Sequence, residues 1–173
     1  MISKVIGSAM KYGLIIGLFF ALNFLFALSG NGFLAVLSNL ILIASIVFVY
    51  RFAIRYREAE NNGTIGYGHA FLYILLLYFF ASILSGVAVL VYCKFINPAY
   101  LTSIIEDPNM QKSLSMVTSM MGVSEKEVEE TLNLLLSPTA YALQYIWGNT
   151  FLGVIVGLIM AIFVKKESNT INN

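Results

Sequence analysis

The amino-acid sequence predicts an all-α integral membrane protein with four transmembrane helices and an extracytoplasmic helical hairpin between helices 3 and 4. Three observations predict it. Of 173 residues, 59% are hydrophobic and only 11% charged, with a mean hydropathy of +0.83. A soluble chain of this length has too small an interior to bury that much apolar side chain. Four separate runs also reach the roughly 20 apolar residues that a hydrocarbon core demands. Finally, basic residues gather in alternate connections between those runs, the pattern of a multi-pass protein. The length suits one domain, residues 1–173.

The spans follow in order. The first runs from about Tyr12 to Leu28, the second from Phe33 to Tyr50, the third from Ala70 to Tyr92 and the fourth from Tyr141 to Val164. At a rise of about 1.5 Å per residue, each covers about 25–35 Å. Tyr12, Tyr50, Tyr92, Tyr141, Tyr145 and Trp147 fall near the ends, where rings with a polar edge favour the membrane interface. Ser29-Gly30-Asn31-Gly32 is so short that spans one and two must form a tight antiparallel hairpin. Lys4 and Lys11, the first apolar run and Ala27-Leu28-Ser29 also resemble a cleavable signal peptide. The run is longer than such a signal needs and span two follows at once, so a retained span is expected.

Seven of the ten basic residues lie on one side: Lys4 and Lys11 before span one, Arg51, Arg55 and Arg57 in the 51–69 connection, and Lys165 and Lys166 after span four. The other side has an uncharged first loop, and its second loop carries Lys94, Lys112 and Lys126 among six acids. The positive-inside rule therefore places both termini and the 51–69 loop in the cytoplasm of a bacterial inner membrane.

Residues 95–137 are too many for a bare connection. The three prolines of the chain punctuate this segment as Asn97-Pro98, Asp107-Pro108 and Ser137-Pro138, each pairing an N-cap residue with proline at the first helical position. The pattern predicts a short helix from Pro98, a second from Pro108 to Met121 closed by Gly122, and span four entered at Pro138. Ser124 with Glu127 forms a capping box and Val123 with Val128 a hydrophobic staple, opening a further helix to about Leu136. Its apolar stripe is Val128, Leu132, Leu135 and Leu136; that of the preceding helix is Met110, Leu114, Val117 and Met121. Stripes at this spacing ordinarily pack on each other, and a methionine-rich one also suits docking of a partner.

Small residues recur every four positions within two spans: Gly13, Gly17 and Ala21 in the first, and Gly153, Gly157 and Ala161 in the fourth. Such spacing lets helix backbones approach closely, so spans one and four are expected to touch there; the alternative is a homodimer face. Thr64-Ile65-Gly66-Tyr67-Gly68 matches a potassium-channel filter letter for letter. However, a filter follows an apolar helix dipping into the membrane. Here the preceding residues include Arg51, Arg55, Arg57 and Glu58, which are costly to place in lipid, so the reading is a loop turning into span three.

Little other chemistry is visible. No ionisable side chain falls inside a span once Lys11 and Lys94 are taken as snorkelling ends, which disfavours proton relays and pumps. One cysteine, Cys93, and one histidine, His69, make a metal or disulfide framework improbable by count, and no cofactor is implied. Ser82 and Ser85 have no base on their own helix to activate them. Asn23, Asn39 and Asn149 are the polar candidates inside the membrane, for interhelical bonds or, in a transport reading, for a polar path.

The chain resembles an uncharacterised family of Bacteroidota-type four-span membrane proteins, filed as a domain of unknown function. The resemblance lies in Lys11-Tyr12-Gly13-Leu14-Ile15-Ile16-Gly17, in Arg55-Tyr56-Arg57-Glu58 with Gly63-Thr64-Ile65-Gly66-Tyr67-Gly68-His69-Ala70-Phe71, and in Asn97-Pro98-Ala99-Tyr100. It implies the four-span fold and a loop role for the glycine-rich stretch, and it assigns no activity or site residues. The expected function is non-enzymatic: binding of another protein, or of a second copy, through the outer helices or the basic residues Arg51, Arg55 and Arg57, with no nucleic acid involved. The alternative is a small-solute or ion transport oligomer, or an accessory transport subunit.

Overall fold

The computed structural model describes residues 2–122 and 124–167. They form seven α-helices, α1 (Ile2–Ala27), α2 (Gly32–Glu60), α3 (Tyr67–Val91), α4 (Tyr100–Ile105), α5 (Pro108–Met121), α6 (Glu125–Leu135) and α7 (Pro138–Val164), with a π-helical stretch at Tyr92–Ile96 after α3. Among the described residues the sole β-type pairing is an isolated antiparallel bridge between Ile65 and Lys166. Two compact units result, residues 1–85 with 146–173, and residues 86–145.

In the first unit, α1 and α2 form the expected hairpin. Gly30 adopts a left-handed φ of 63°, and the Asn31 side chain caps α2 by accepting a hydrogen bond from the Phe33 N–H at 2.9 Å. The Asn23 amide donates across the hairpin to the Ser38 carbonyl at 2.8 Å. α2 does not stop at Tyr50 as the hydropathy predicts but runs on to Glu60. Residues 51–60 contain good helix formers and no glycine or proline, and the buried stripe Ser45, Val49, Ala53 and Tyr56 continues unbroken past Arg51. Asn62 and Gly63, both at positive φ, stop the helix. The connection expected over 51–69 therefore shrinks to residues 61–66.

α3 lies at the centre of this unit. Its Ala70, Tyr73, Ile74, Leu77, Tyr78 and Ala81 are all at most 1% exposed. α2 and α7 instead present Val36, Leu40, Ile43 and Val47, and Leu158, Ile159, Ile162 and Phe163, to the outside. Apolar surface on that scale is compatible with lipid and incompatible with water. With four helices long and apolar enough to cross a bilayer, the protein is a multi-pass membrane protein.

The two glycine stretches do not face each other as expected; both meet α3. A Cβ on Gly13 would stand 2.8 Å from Phe80 Cβ and 2.9 Å from the Leu77 carbonyl oxygen, and one on Gly17 2.8 Å from the Ala81 oxygen. On α7, Gly153 abuts the Tyr78 side chain and Gly157 lies against Phe71 and Ile74. Of the four-residue steps, Ala161 is buried and Ala21 half-buried. On the α7 side the Tyr78 and Phe71 side chains of α3 require a small residue opposite, and on the α1 side the backbone of α3 itself, at the Leu77 and Ala81 carbonyls, comes close enough to require one. Ser82 Oγ and Thr150 Oγ1, 2.9 Å apart, add a polar contact between α3 and α7.

The second unit holds the segment between spans three and four. Asp107 caps α5, its Oδ1 accepting from Asn109 N at 2.8 Å and Met110 N at 3.3 Å, with Pro108 at the first helical position; Gly122 closes α5 at φ 65°. Ser124 and Glu127 form the reciprocal capping box on α6. Ser137 Oγ accepts from Ala140 N at 3.4 Å where α7 begins. Asn97-Pro98 behaves differently: α4 starts two residues after the proline with no side-chain cap, and the Asn97 amide turns back to the Tyr92 hydroxyl at 3.4 Å. Val123 of the expected staple lies outside the described residues.

Candidate functional sites

Four chain segments of the first unit converge on a cavity of about 650 Å³: the start of α1, the end of α2 with residues 61–66, the first turn of α3 and the residues after α7. Lys4 and Lys166, Glu60 and Glu167, His69, Thr64 and Tyr56 line it. The Ile65–Lys166 bridge, N to O at 2.9 Å in both directions, forms part of its wall. Behind it, the Tyr56 ring stacks on Tyr73 with centroids 4.1 Å apart and planes 5° from parallel. The Tyr56 hydroxyl lies 3.0 Å from His69 Nε2, and the Tyr73 hydroxyl 3.5 Å from Ser8 Oγ. These contacts tie α1, α2 and α3 together beneath a polar opening of mixed charge.

None of Tyr56, Tyr73 or Ser8 stands out in sequence, because Tyr56 follows the last apolar run and reads as loop. The signal that finds it is the periodicity Val49, Ala53, Tyr56, which places it on the buried face of an extended α2. The three arginines share no common role. Arg57, 13% exposed, donates from Nη1 to the Val164 carbonyl at 2.8 Å and pairs with Glu58 at 2.7 Å, so it ties the ends of α2 and α7. Arg55 lies over the Tyr12 ring, its guanidinium 5.9 Å from the centroid. Arg51 is exposed.

The filter-like pentapeptide is a helix entry. Ile65 is held by its bridge to Lys166, Gly66 accepts from Ala70 N at 3.0 Å, and Tyr67 and Gly68 already belong to α3. Nor do the asparagines assemble. Asn23 bonds to α2, while Asn39, exposed, donates to the Ala35 carbonyl of its own helix at 3.0 Å; Asn149 is half-buried. Ser45, Ser82 and Ser85 bond backbone carbonyls three residues back. No group of three His, Cys, Asp or Glu side chains among the described residues is placed to hold a metal.

In the second unit, α5 and α6 enclose a cleft of about 320 Å³ lined by Leu114, Thr118, Val128 and Leu132. Met110 is half-buried like Leu114, whereas Val117 turns outward; the Met121 side chain is outside the described set. On its outer face α5 exposes Met116, Val117 and Met120, the last 86% exposed, and α6 exposes Leu134. Tyr92, Tyr100 and Tyr141 meet edge to face. Burial, and then the hydrogen bond with Tyr141, push the Tyr100 hydroxyl above the usual tyrosine range, so it remains a proton donor.

The match that decides the family extends over both units. A family model described as "Protein of unknown function (DUF4199)" fits residues 11–166. The chain belongs to that family. Its match begins at Lys11, ahead of Gly13 and Gly17 of α1, and ends at Lys166, the bridge partner of Ile65. No curated protein and no solved structure matches the chain.

Proposed function

We propose that this family member is a non-enzymatic protein of the bacterial inner membrane that acts by binding another protein through the outer face of α5 and α6. Its termini lie in the cytoplasm and residues 95–137 outside, following the placement of seven of ten basic residues at Lys4, Lys11, Arg51, Arg55, Arg57, Lys165 and Lys166. One observation carries the binding reading. Met116, Val117 and Met120 form an exposed apolar strip on a helix outside the spans, while the opposite face of α5 is the one turned to α6. The strip is thus surplus to the packing of the helical pair, and flexible thioether side chains suit an apolar partner surface. The basic residues favour this choice of surface, since Arg57 and Arg55 are engaged within the fold. Transport has less support, because the Asn23 and Asn39 amides are given to backbone carbonyls.

A photo-crosslinking residue at Met120 tests the reading in living cells. The expected result is one discrete, heavier protein adduct, absent when the same residue replaces Ile159 on the lipid face and lost on Val117→Asp. Adducts with lipid alone, or an unmodified band, would overturn it. Deleting residues 107–136 should likewise abolish co-purification of the adducted protein while membrane insertion survives.

A further inference from the structure

Between α2 and α7 lies a second cleft of about 470 Å³ that helix packing leaves unfilled. Ile46, Val47 and Tyr50 form one wall and Val156, Ile159 and Phe163 the other. At its end the two helices are tied by the Arg57 side chain on the Val164 carbonyl, so the cleft opens deeper along the spans. Both walls belong to membrane-spanning helices, and its occupant must therefore come from the bilayer. From Val156 to Phe163 the trough is about 10 Å long at the helical rise, which seats the headgroup-proximal half of a single extended acyl chain.

The rim of the cleft is charged on one side. Arg51 follows Val47 by four residues, which places it on the same side of α2 one turn nearer the helix end. It is exposed, and the ion pair found among the described residues, Arg57 with Glu58, does not involve it. The Tyr50 phenol stands beside it at the same level and lines the cleft. Apolar walls below a phenol and an unpaired guanidinium are complementary to a phospholipid whose headgroup carries net negative charge. We infer that the α2–α7 cleft is a binding site for an anionic diacyl phospholipid, with one acyl chain between Val47 and Ile159 and the phosphate at Arg51. A choline headgroup would bring its own positive charge to the same place and gain less.

Native mass spectrometry of the detergent-purified protein, mixed with equal amounts of phosphatidylglycerol and phosphatidylcholine of identical chains, tests the inference. The wild type should retain phosphatidylglycerol preferentially. Arg51→Gln should lower that preference about five-fold, the effect of one basic side chain near an anionic headgroup, while phosphatidylcholine binding persists. Arg55→Gln removes the same charge from the side of α2 that faces Tyr12 and should leave the preference unchanged. Ile159→Trp, at a position 59% exposed and therefore tolerant of the larger ring, should fill the trough and reduce retention of both lipids. Equal retention of the two lipids by the wild type, equal effects of Arg51→Gln and Arg55→Gln, or undiminished binding by Ile159→Trp would each overturn it.

Discussion

Two glycines on α1 should respond to alanine with opposite signs. A Cβ on Gly17 would meet the Ala81 carbonyl oxygen at 2.8 Å and Leu84 Cβ at 2.9 Å. Comfortable carbon contacts lie at about 3.5–4.0 Å, so α1 and α3 must part by roughly 0.7–1 Å, and a gap of that size forfeits a quarter to a half of each lost contact. Overpacking of this kind costs about 1–3 kcal/mol. Against it stands the intrinsic preference of a helix for alanine over glycine, about 1 kcal/mol. Gly17→Ala should therefore lose up to about 2 kcal/mol. Gly7, on the same helix, has no heavy atom within 4 Å of its virtual Cβ, so only the favourable helix contribution remains. In the difference between the two variants that contribution cancels, leaving about 1–3 kcal/mol. Combining Gly13→Ala with Gly17→Ala should cost less than the sum, because one retreat of α1 relieves both clashes. Reversible unfolding in mixed micelles at rising SDS, repeated over a range of protein concentrations, measures this. Equal stability of Gly17→Ala and Gly7→Ala would refute the α1–α3 contact. A loss that appears only where the protein oligomerises would return Gly17 to the homodimer face.

Two further perturbations probe the interior. Tyr56→Phe keeps the stack on Tyr73 but removes the hydroxyl from His69, for a loss of about 0.5–1.5 kcal/mol. Tyr56→Ala leaves a cavity and should cost about 3–5 kcal/mol, and a double-mutant cycle of Tyr56→Phe with His69→Ala should show coupling; its absence would contradict the hydrogen bond. Ser82 and Thr150 also form hydroxyl bonds to the Phe79 and Ile146 carbonyls, both at 2.8 Å, so their mutual contact at 2.9 Å competes for the same two protons. Ser82→Ala with Thr150→Val should thus show a coupling near the membrane average of about 0.6 kcal/mol; a value above about 1.7 kcal/mol would mean that the interhelical bond dominates.

What could be read from the residue order depends on how local each feature is. The spans depend on continuous apolar length, and the caps at Asp107, Ser124 and Ser137 depend on a side chain reaching a backbone N–H two or three residues away. Little outside those few residues enters such interactions, so the linear pattern sufficed there; it failed at Asn97-Pro98, where the Asn97 amide turns back to the Tyr92 hydroxyl instead of capping α4. Hydropathy misplaced the end of α2 because Arg51 interrupts the apolar average without interrupting the helix. The stripe of Val49, Ala53 and Tyr56 carries on beneath it.

Partner choice is a different kind of question. Four-residue glycine spacing states that something approaches Gly13 and Gly153 closely, but two such faces are satisfied equally by each other or by a third helix. The decision lies in what α3 presents, its backbone at the Leu77 carbonyl toward Gly13 and the Tyr78 side chain toward Gly153, and in the hairpin that fixes α2 beside α1. The cavity around Tyr56 and His69 has the same origin: its walls come from four segments separated by up to about 160 positions in the chain. No local pattern encodes their meeting. It follows from packing, because close contact between α1, α3 and α7 brings the ends of those helices to one place, whatever residues those ends carry.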